Sequence, residues 1–73
     1  MKLFDGAEKK RYAVQNMTLP VKTEKRLEAL GMITGTKLSV LNKKKSALII
    51  AVRGTRFALG KAIAANIEVI EMS

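Results

Sequence analysis

The chain has 73 residues, with no cysteine and no histidine. It therefore has neither a disulfide frame nor a thiolate metal site, and it lacks the side chain that most often acts as a metal ligand or a general base. Lys and Arg number 14 against 6 Asp and Glu, a formal net charge of +8. We expect a protein that is not an enzyme, holds no metal ion or cofactor, and has a basic surface suited to an anionic partner.

Size and hydropathy predict one small globular domain over residues 1–73. Hydrophobic residues make up 48% of the chain, which is ordinary for a folded domain. No apolar run approaches the roughly 20 residues of a membrane span, and the first residues lack the apolar segment of a secretory signal. These features are typical of a cytoplasmic protein.

A strand and then a helix are predicted first along the chain. Residues 10–17 alternate weakly between polar and apolar side chains, which favours a strand. Residues 20–30 begin with a proline, which suits the first turn of a helix, and continue with good helix formers. We expect this helix to bury Val21, Leu27 and Leu30.

The stretch RLEALGMITGT at residues 26–36 contains two glycines four positions apart. Gly31 is expected to end the helix at positive φ, and Gly35 to turn the chain into the next strand. Met32 and Ile33 lie between the glycines and are hard to bury together in so short a connection. The stretch is either a plain helix end and turn or a surface that contacts a partner, for which an adaptable methionine is suited.

The rest of the chain predicts four more short strands, with Gly54 in one of the turns between them. The apolar run at 47–52 predicts a strand that is covered on both faces or that meets a partner, including a second copy of the chain. Five short strands with one helix after the first predict a mainly β protein, a small closed or half-closed barrel. The four strands are expected at residues 36–41, 47–52, 55–59 and 67–72, with a single helical turn at 61–65.

Two turns of this barrel carry clustered positive charge. The NKKKS segment at residues 42–46 is either a solvated hairpin tip or a weak contact with an anionic membrane surface, where each nearby lysine contributes about 1 kcal/mol. Arg53 and Arg56 flank Gly54. They are either simple surface charges or a pair able to grip a carboxylate or phosphate in a forked geometry.

The segments RLEALGMITGTKLSVL and VRGTRFAL, in this order, resemble the ferrous-iron transport protein A (FeoA) family. The resemblance extends over about residues 20–69. It implies a five-stranded barrel of the SH3-like type with the helix between the first and second strands. The same barrel resembles the C-terminal domain of iron-dependent repressors, whose DNA-binding helix-turn-helix has no counterpart in this sequence.

The resemblance also implies a function. Members are small cytoplasmic accessory proteins of the membrane ferrous-iron transporter FeoB, which carries a cytosolic GTPase domain. In that role this protein would lie at the inner face of the membrane and would activate or assemble the transporter. The family has no agreed metal site or catalytic residue, so neither is assigned. Many members have a longer hairpin where this chain has NKKKS, so a partner contact through that loop would differ here.

The candidate residues follow from the two motif segments. Gly31, Gly35 and Gly54 are expected to be structural turns. The candidate partner contacts are Leu30, Met32, Ile33, Arg53 and Arg56.

The alternative function is a basic small-barrel module that binds nucleic acid. Because the chain has only three aromatic residues, it offers few platforms for base stacking, so nucleic acid is not the expected partner.

Overall fold

Five strands and one long helix make up the structure, a computed structural model in which residues 1–72 are described. The mainly β fold and the helix between the first two strands are as predicted. No helix in residues 1–72 is long and apolar enough to cross a membrane. The elements in chain order are a 3₁₀ turn at Leu3–Asp5, β1 (Arg11–Met17), α1 (Val21–Ala29), β2 (Lys37–Lys43), β3 (Ala47–Val52), β4 (Thr55–Gly60), α2 (Lys61–Ala64) and β5 (Ile67–Met72).

The strands form one antiparallel sheet in the order β4-β3-β2-β1-β5. Successive side chains of a strand point to opposite faces, and one face of each strand contributes to the same core, so the sheet curls around it. The buried strand residues are Tyr12 and Val14 in β1, Leu38 and Val40 in β2, Leu48, Ile50 and Val52 in β3, Leu59 in β4, and Ile67 and Val69 in β5.

The apolar strand β3 lies inside the sheet, between β2 and β4. Its inward side chains are buried, and its outward ones, Ala47, Ile49 and Ala51, are half-buried. A strand with neighbours on both sides and both faces at least partly covered favours apolar residues at every position. This placement explains why the run at 47–52 does not alternate.

The β2–β3 connection, which we call the lysine tip (residues 43–46), is tied to the N-terminal segment. A register shift between Val40 and Asn42 lets β2 continue to Lys43, beyond the predicted end at residue 41. The Lys43 amide donates to Glu8 Oε2 at 2.7 Å, and the Lys43 ammonium lies 5.1 Å from the ring centre of Phe4. Such a contact is an attractive cation–π geometry. The lysine tip is therefore held at its base.

Helix α1 is attached to the core through a single side chain of its Val21–Ala29 span, Leu27. The prediction that Val21 and Leu30 are buried with it is wrong, because Val21 is 69% exposed and Leu30 is 39% exposed. A helix turns about 100° per residue, so Val21, six residues before Leu27, lies about 120° away around the axis. Much of the helix surface is consequently open to solvent.

Candidate functional site

Helix α1 ends in a Schellman motif centred on Gly31. The glycine has a φ of +93°, and its amide donates to the Glu28 carbonyl at 2.9 Å. The Met32 amide donates to the Leu27 carbonyl, also at 2.9 Å. These two hydrogen bonds satisfy carbonyls that would otherwise be unpaired at the helix end.

Met32, predicted as a partner contact, is a core residue and has no exposed surface. In a Schellman motif the residue after the glycine commonly makes an apolar contact with the last helical turn. Met32 occupies that position and belongs to the same core cluster as Leu27. Its burial therefore follows from the helix end, and Met32 is removed from the candidate surface.

Ile33 is directed outward by the turn that follows. The Thr36 amide donates to the Ile33 carbonyl at 3.0 Å, and Gly35 has a φ of +91°, as the third position of a type II turn requires. The buried Thr36 hydroxyl accepts from the Ile33 amide at 3.1 Å and donates to the Gly31 carbonyl at 3.3 Å. With its backbone fixed in this way, Ile33 remains 42% exposed.

The β3–β4 connection, which we call the arginine tip (Arg53 and Gly54), is a two-residue hairpin turn. Arg53 and Gly54 have φ angles of +50° and +81°, the signs that a type I′ turn needs at both central positions. Val52 and Thr55 pair on either side of them. Glycine adopts this conformation freely, but arginine does so at a cost in energy, so the tight turn dictates the backbone of Arg53.

The arginine tip lies directly against the end of helix α1. A β-carbon placed on Gly31 would be 3.1 Å from Cδ of Arg53 and 3.9 Å from Cγ1 of Val52. The absence of a side chain at Gly31 therefore lets the Arg53 stem pass over the helix end. Two segments that are about twenty residues apart in sequence meet here, and the sequence alone did not indicate their contact.

We call the exposed residues on either side of this contact, Leu30, Ile33 and Arg53, the cap surface. Leu30 and Ile33 are exposed apolar side chains, and Arg53 is an exposed cation whose stem lies over Gly31. Arg56 is placed differently. It lies on the outer face of the sheet, opposite Ala51 in the β3–β4 pairing.

A groove of about 220 Å³ on the outer face of the sheet was not predicted. Its lining includes the side-chain positions of Arg11, Lys37 and Arg53, with Ser39 and Ala51 between them. Apart from Arg53, which lies in the β3–β4 turn, these residues occupy outward positions of β1, β2 and β3, which the alternation of buried and exposed residues could have indicated. Their proximity depends on strand register, which has no local signal in the sequence.

The cations of the groove differ from nearby cations in whether they form ion pairs. Lys10, next to Arg11, donates to Glu71 at 3.1 Å, and this hydrogen bond and the attraction of the carboxylate raise the pKa of Lys10. The other ion pairs in residues 1–72 join the N-terminal amine and Lys2 to Glu68. Within that range no carboxylate pairs with a cation of the groove.

In the part of the chain that the structure describes, metal-ligating clusters are missing and open aromatic faces are few. No three His, Cys, Asp or Glu residues group there. Tyr12 is 1% exposed, and its hydroxyl accepts from the Ala7 amide at 2.8 Å. Phe4 and Phe57 are partly buried against the core. Flat aromatic platforms, on which single-stranded bases usually stack, are therefore scarce.

Comparison with solved structures gives close matches of fold. The crystal structure of an iron uptake regulatory protein (FeoA) superposes with a TM-score of 0.89 and 26% identity, over 99% of this chain and 97% of that one. The solution structure of the FeoA protein from Chlorobium tepidum gives 0.93 and 24%, over 100% and 71%. A manganese-dependent transcriptional repressor gives 0.88 and 16%, over 99% of this chain and 41% of that chain.

These neighbours agree with the five-stranded SH3-like barrel expected from the sequence, and the repressor shows that the barrel also occurs as part of a longer protein. None of the curated protein sequences compared with this one matches it. The sequence profile of the FeoA domain matches residues 1–71. The chain therefore belongs to the FeoA domain family, which is associated with ferrous-iron transport.

Proposed function

We propose that this protein is a cytoplasmic accessory protein of ferrous-iron uptake and that it binds the transporter FeoB through the cap surface. It acts by binding and not by catalysis, and iron is the cargo of its partner. The observation that carries the proposal is the contact between the Arg53 stem and Gly31, which brings together the two sequence segments that resemble the family.

The composition of the cap surface supports a protein partner. Interfaces are rich in arginine and in apolar side chains that become fully buried at their centre. Leu30 and Ile33 supply apolar area, and Arg53 supplies a guanidinium that can pair in a forked geometry with a carboxylate of the partner. Because the Schellman motif and the type I′ turn fix the backbone on both sides, little conformational entropy is lost on binding.

Nucleic acid is the second candidate partner, favoured by the net charge of +8 and by the basic groove. It is disfavoured by the burial of Tyr12 and the partial burial of both phenylalanines. The two partners differ in salt dependence. Affinity that depends on several phosphate contacts falls by about 10³-fold or more between 50 and 200 mM salt, whereas an apolar interface is less sensitive.

An NMR titration of the labelled protein at physiological salt tests the proposal. The two titrants are the cytosolic GTPase domain of FeoB and a random DNA duplex. We expect saturable shifts at Leu30, Ile33 and Arg53 with the GTPase domain. Shifts with the duplex alone, spread over the lysines, would contradict the proposal and favour the alternative.

A matched pair of variants tests whether the partner binds the cap surface or the open face of helix α1. Ile33→Ala and Val21→Ala each shorten one exposed apolar side chain, but only Ile33 belongs to the cap surface. We expect Ile33→Ala to weaken binding by about tenfold, a loss typical of a central interface residue, and Val21→Ala to have little effect. Equal weakening by both variants would show that the partner uses the open face of helix α1 instead.

A further inference from the structure

We propose that the groove on the outer face of the sheet is a binding site for a phosphate group. The site is distinct from the apolar part of the cap surface and does not depend on the transporter being the partner. Its ligand class is an anion with one or two phosphate groups, either free or carried by a lipid headgroup.

Strand register places the charges around a small floor. Ser39 of β2 pairs with Arg11 of β1 on one side and with Ala51 of β3 on the other. Adjacent strands are about 4.8 Å apart, so these three residues form a row across the outer face. Lys37 lies two residues before Ser39 on β2, and Arg53 lies two residues after Ala51, in the turn that follows β3; both line the groove beside this row. The short side chains of Ser39 and Ala51 leave the space that the cations border.

The electrostatics of the groove favour an anion. Three cations line one groove, and the ion pairs formed within residues 1–72 all lie elsewhere. A cleft lined by charges of one sign concentrates the field inside it and attracts counter-ions. Lys10 differs from these three cations, because its charge is already compensated by the Glu71 carboxylate.

The arrangement of donors favours phosphate over a single carboxylate. A carboxylate is satisfied by one guanidinium fork, whereas a phosphate monoester has three terminal oxygens and nearly two negative charges. Arg11, Lys37 and Arg53 approach from three strand ends or edges, and the Ser39 hydroxyl adds a donor at the floor. A groove of about 220 Å³ holds several water molecules and so has room for one or two phosphate groups.

Two NMR titrations at constant ionic strength test the site and identify the source of the phosphate. One uses inorganic pyrophosphate, and the other uses vesicles of phosphatidic acid in phosphatidylcholine against vesicles of phosphatidylcholine alone. Saturable shifts at Arg11, Lys37–Ser39 and Ala51–Gly54 with pyrophosphate support a free ligand. The same shifts with the phosphatidic acid vesicles alone support a headgroup. No saturable shift with either, or shifts spread evenly over all lysines, would overturn the proposal.

Matched variants separate a built site from general positive charge. Arg11→Gln combined with Lys37→Gln should weaken binding by about tenfold or more, and Lys22→Gln combined with Lys25→Gln, which removes the same charge from helix α1, by less than about threefold. Ala51→Val fills the floor without changing any charge and should also weaken binding, whereas Ala58→Val, on the outer face of β4, should not. Equal effects within each pair would refute the site.

Discussion

The two hairpin tips at opposite ends of β3 are both basic, but they are supported in different ways. The lysine tip rests on the N-terminal segment, where Glu8 accepts the Lys43 amide and Phe4 lies under the Lys43 ammonium. The arginine tip rests on the end of helix α1, where Gly31 leaves room for the Arg53 stem. One contact ties a hairpin to the N-terminal segment, and the other places the stem of an exposed arginine over the end of the helix.

The difference shows that the local density of charge does not tell which cations already have contacts within the fold. Three consecutive lysines are the densest run of charge in the sequence, but the first of them already has intramolecular contacts. Arg53 lies in a turn with less charge around it, but it belongs to the cap surface and lines the groove. What a cation contacts in the fold decides which of these charges is available to a partner.

The largest expected loss of stability comes from disrupting the contact between the arginine tip and Gly31. Gly31→Val places a β-branched side chain at a φ of +93° and against the Arg53 stem, so we expect a loss of about 3 kcal/mol in the free energy of unfolding. Gly54→Val is the control, since it also has positive φ but nothing within 4 Å of its β-carbon, and it should lose less. Urea unfolding midpoints measure both. An unchanged midpoint for Gly31→Val would contradict the helix-end geometry.

Removing the Phe4 ring that lies under the lysine tip should reduce the stability of the protein by less. Phe4→Ala removes a partly buried ring that lies under two ammonium groups, Lys43 at 5.1 Å and Lys61 at 5.5 Å, and we expect a loss of about 2 kcal/mol. Phe4→Leu keeps most of the apolar packing and loses the ring face, at a cost of about 0.5–1 kcal/mol. Urea is the suitable denaturant because it adds no salt. Equal losses for the two variants would show that packing contributes nothing beyond the ring face.

The smallest expected effect on stability concerns the base of the same tip. Glu8→Gln keeps an acceptor for the Lys43 amide but removes its charge, so the 2.7 Å hydrogen bond weakens and stability falls by about 0.5 kcal/mol. Amide hydrogen exchange at Lys43 is the more sensitive measurement and should become faster. Unchanged exchange at Lys43 would show that Glu8 does not hold the tip.

The strands and the helix could be predicted because each has a local signal. Alternation located β1, and the glycine after Leu30 located the helix end. Val21 was wrongly expected to be buried, although the period of an α-helix places it on a different face of the helix from Leu27. Met32 and Ile33 were expected to be hard to bury together, and only Met32 is buried; naming Met32 as a contact was wrong because the Schellman motif turns it inward.

The candidate site could be predicted only in pieces. Both segments of the cap surface were selected from the sequence, but their contact through Gly31 and Arg53 depends on how the arginine tip packs on the helix end. The groove could be predicted from the sequence even less well than the cap surface. Arg11, Lys37, Ser39 and Ala51 become neighbours only through the pairing of three strands.

The central claim is that the arginine tip, and not the lysine tip, recognises the partner. The most direct test is the dissociation constant of full-length FeoB in nanodiscs for Arg53→Gln and Lys45→Gln, which remove the same charge from the two tips. We predict that Arg53→Gln weakens binding by about tenfold or more and that Lys45→Gln changes it by less than about twofold. Equal weakening, or a larger effect of Lys45→Gln, would contradict the account.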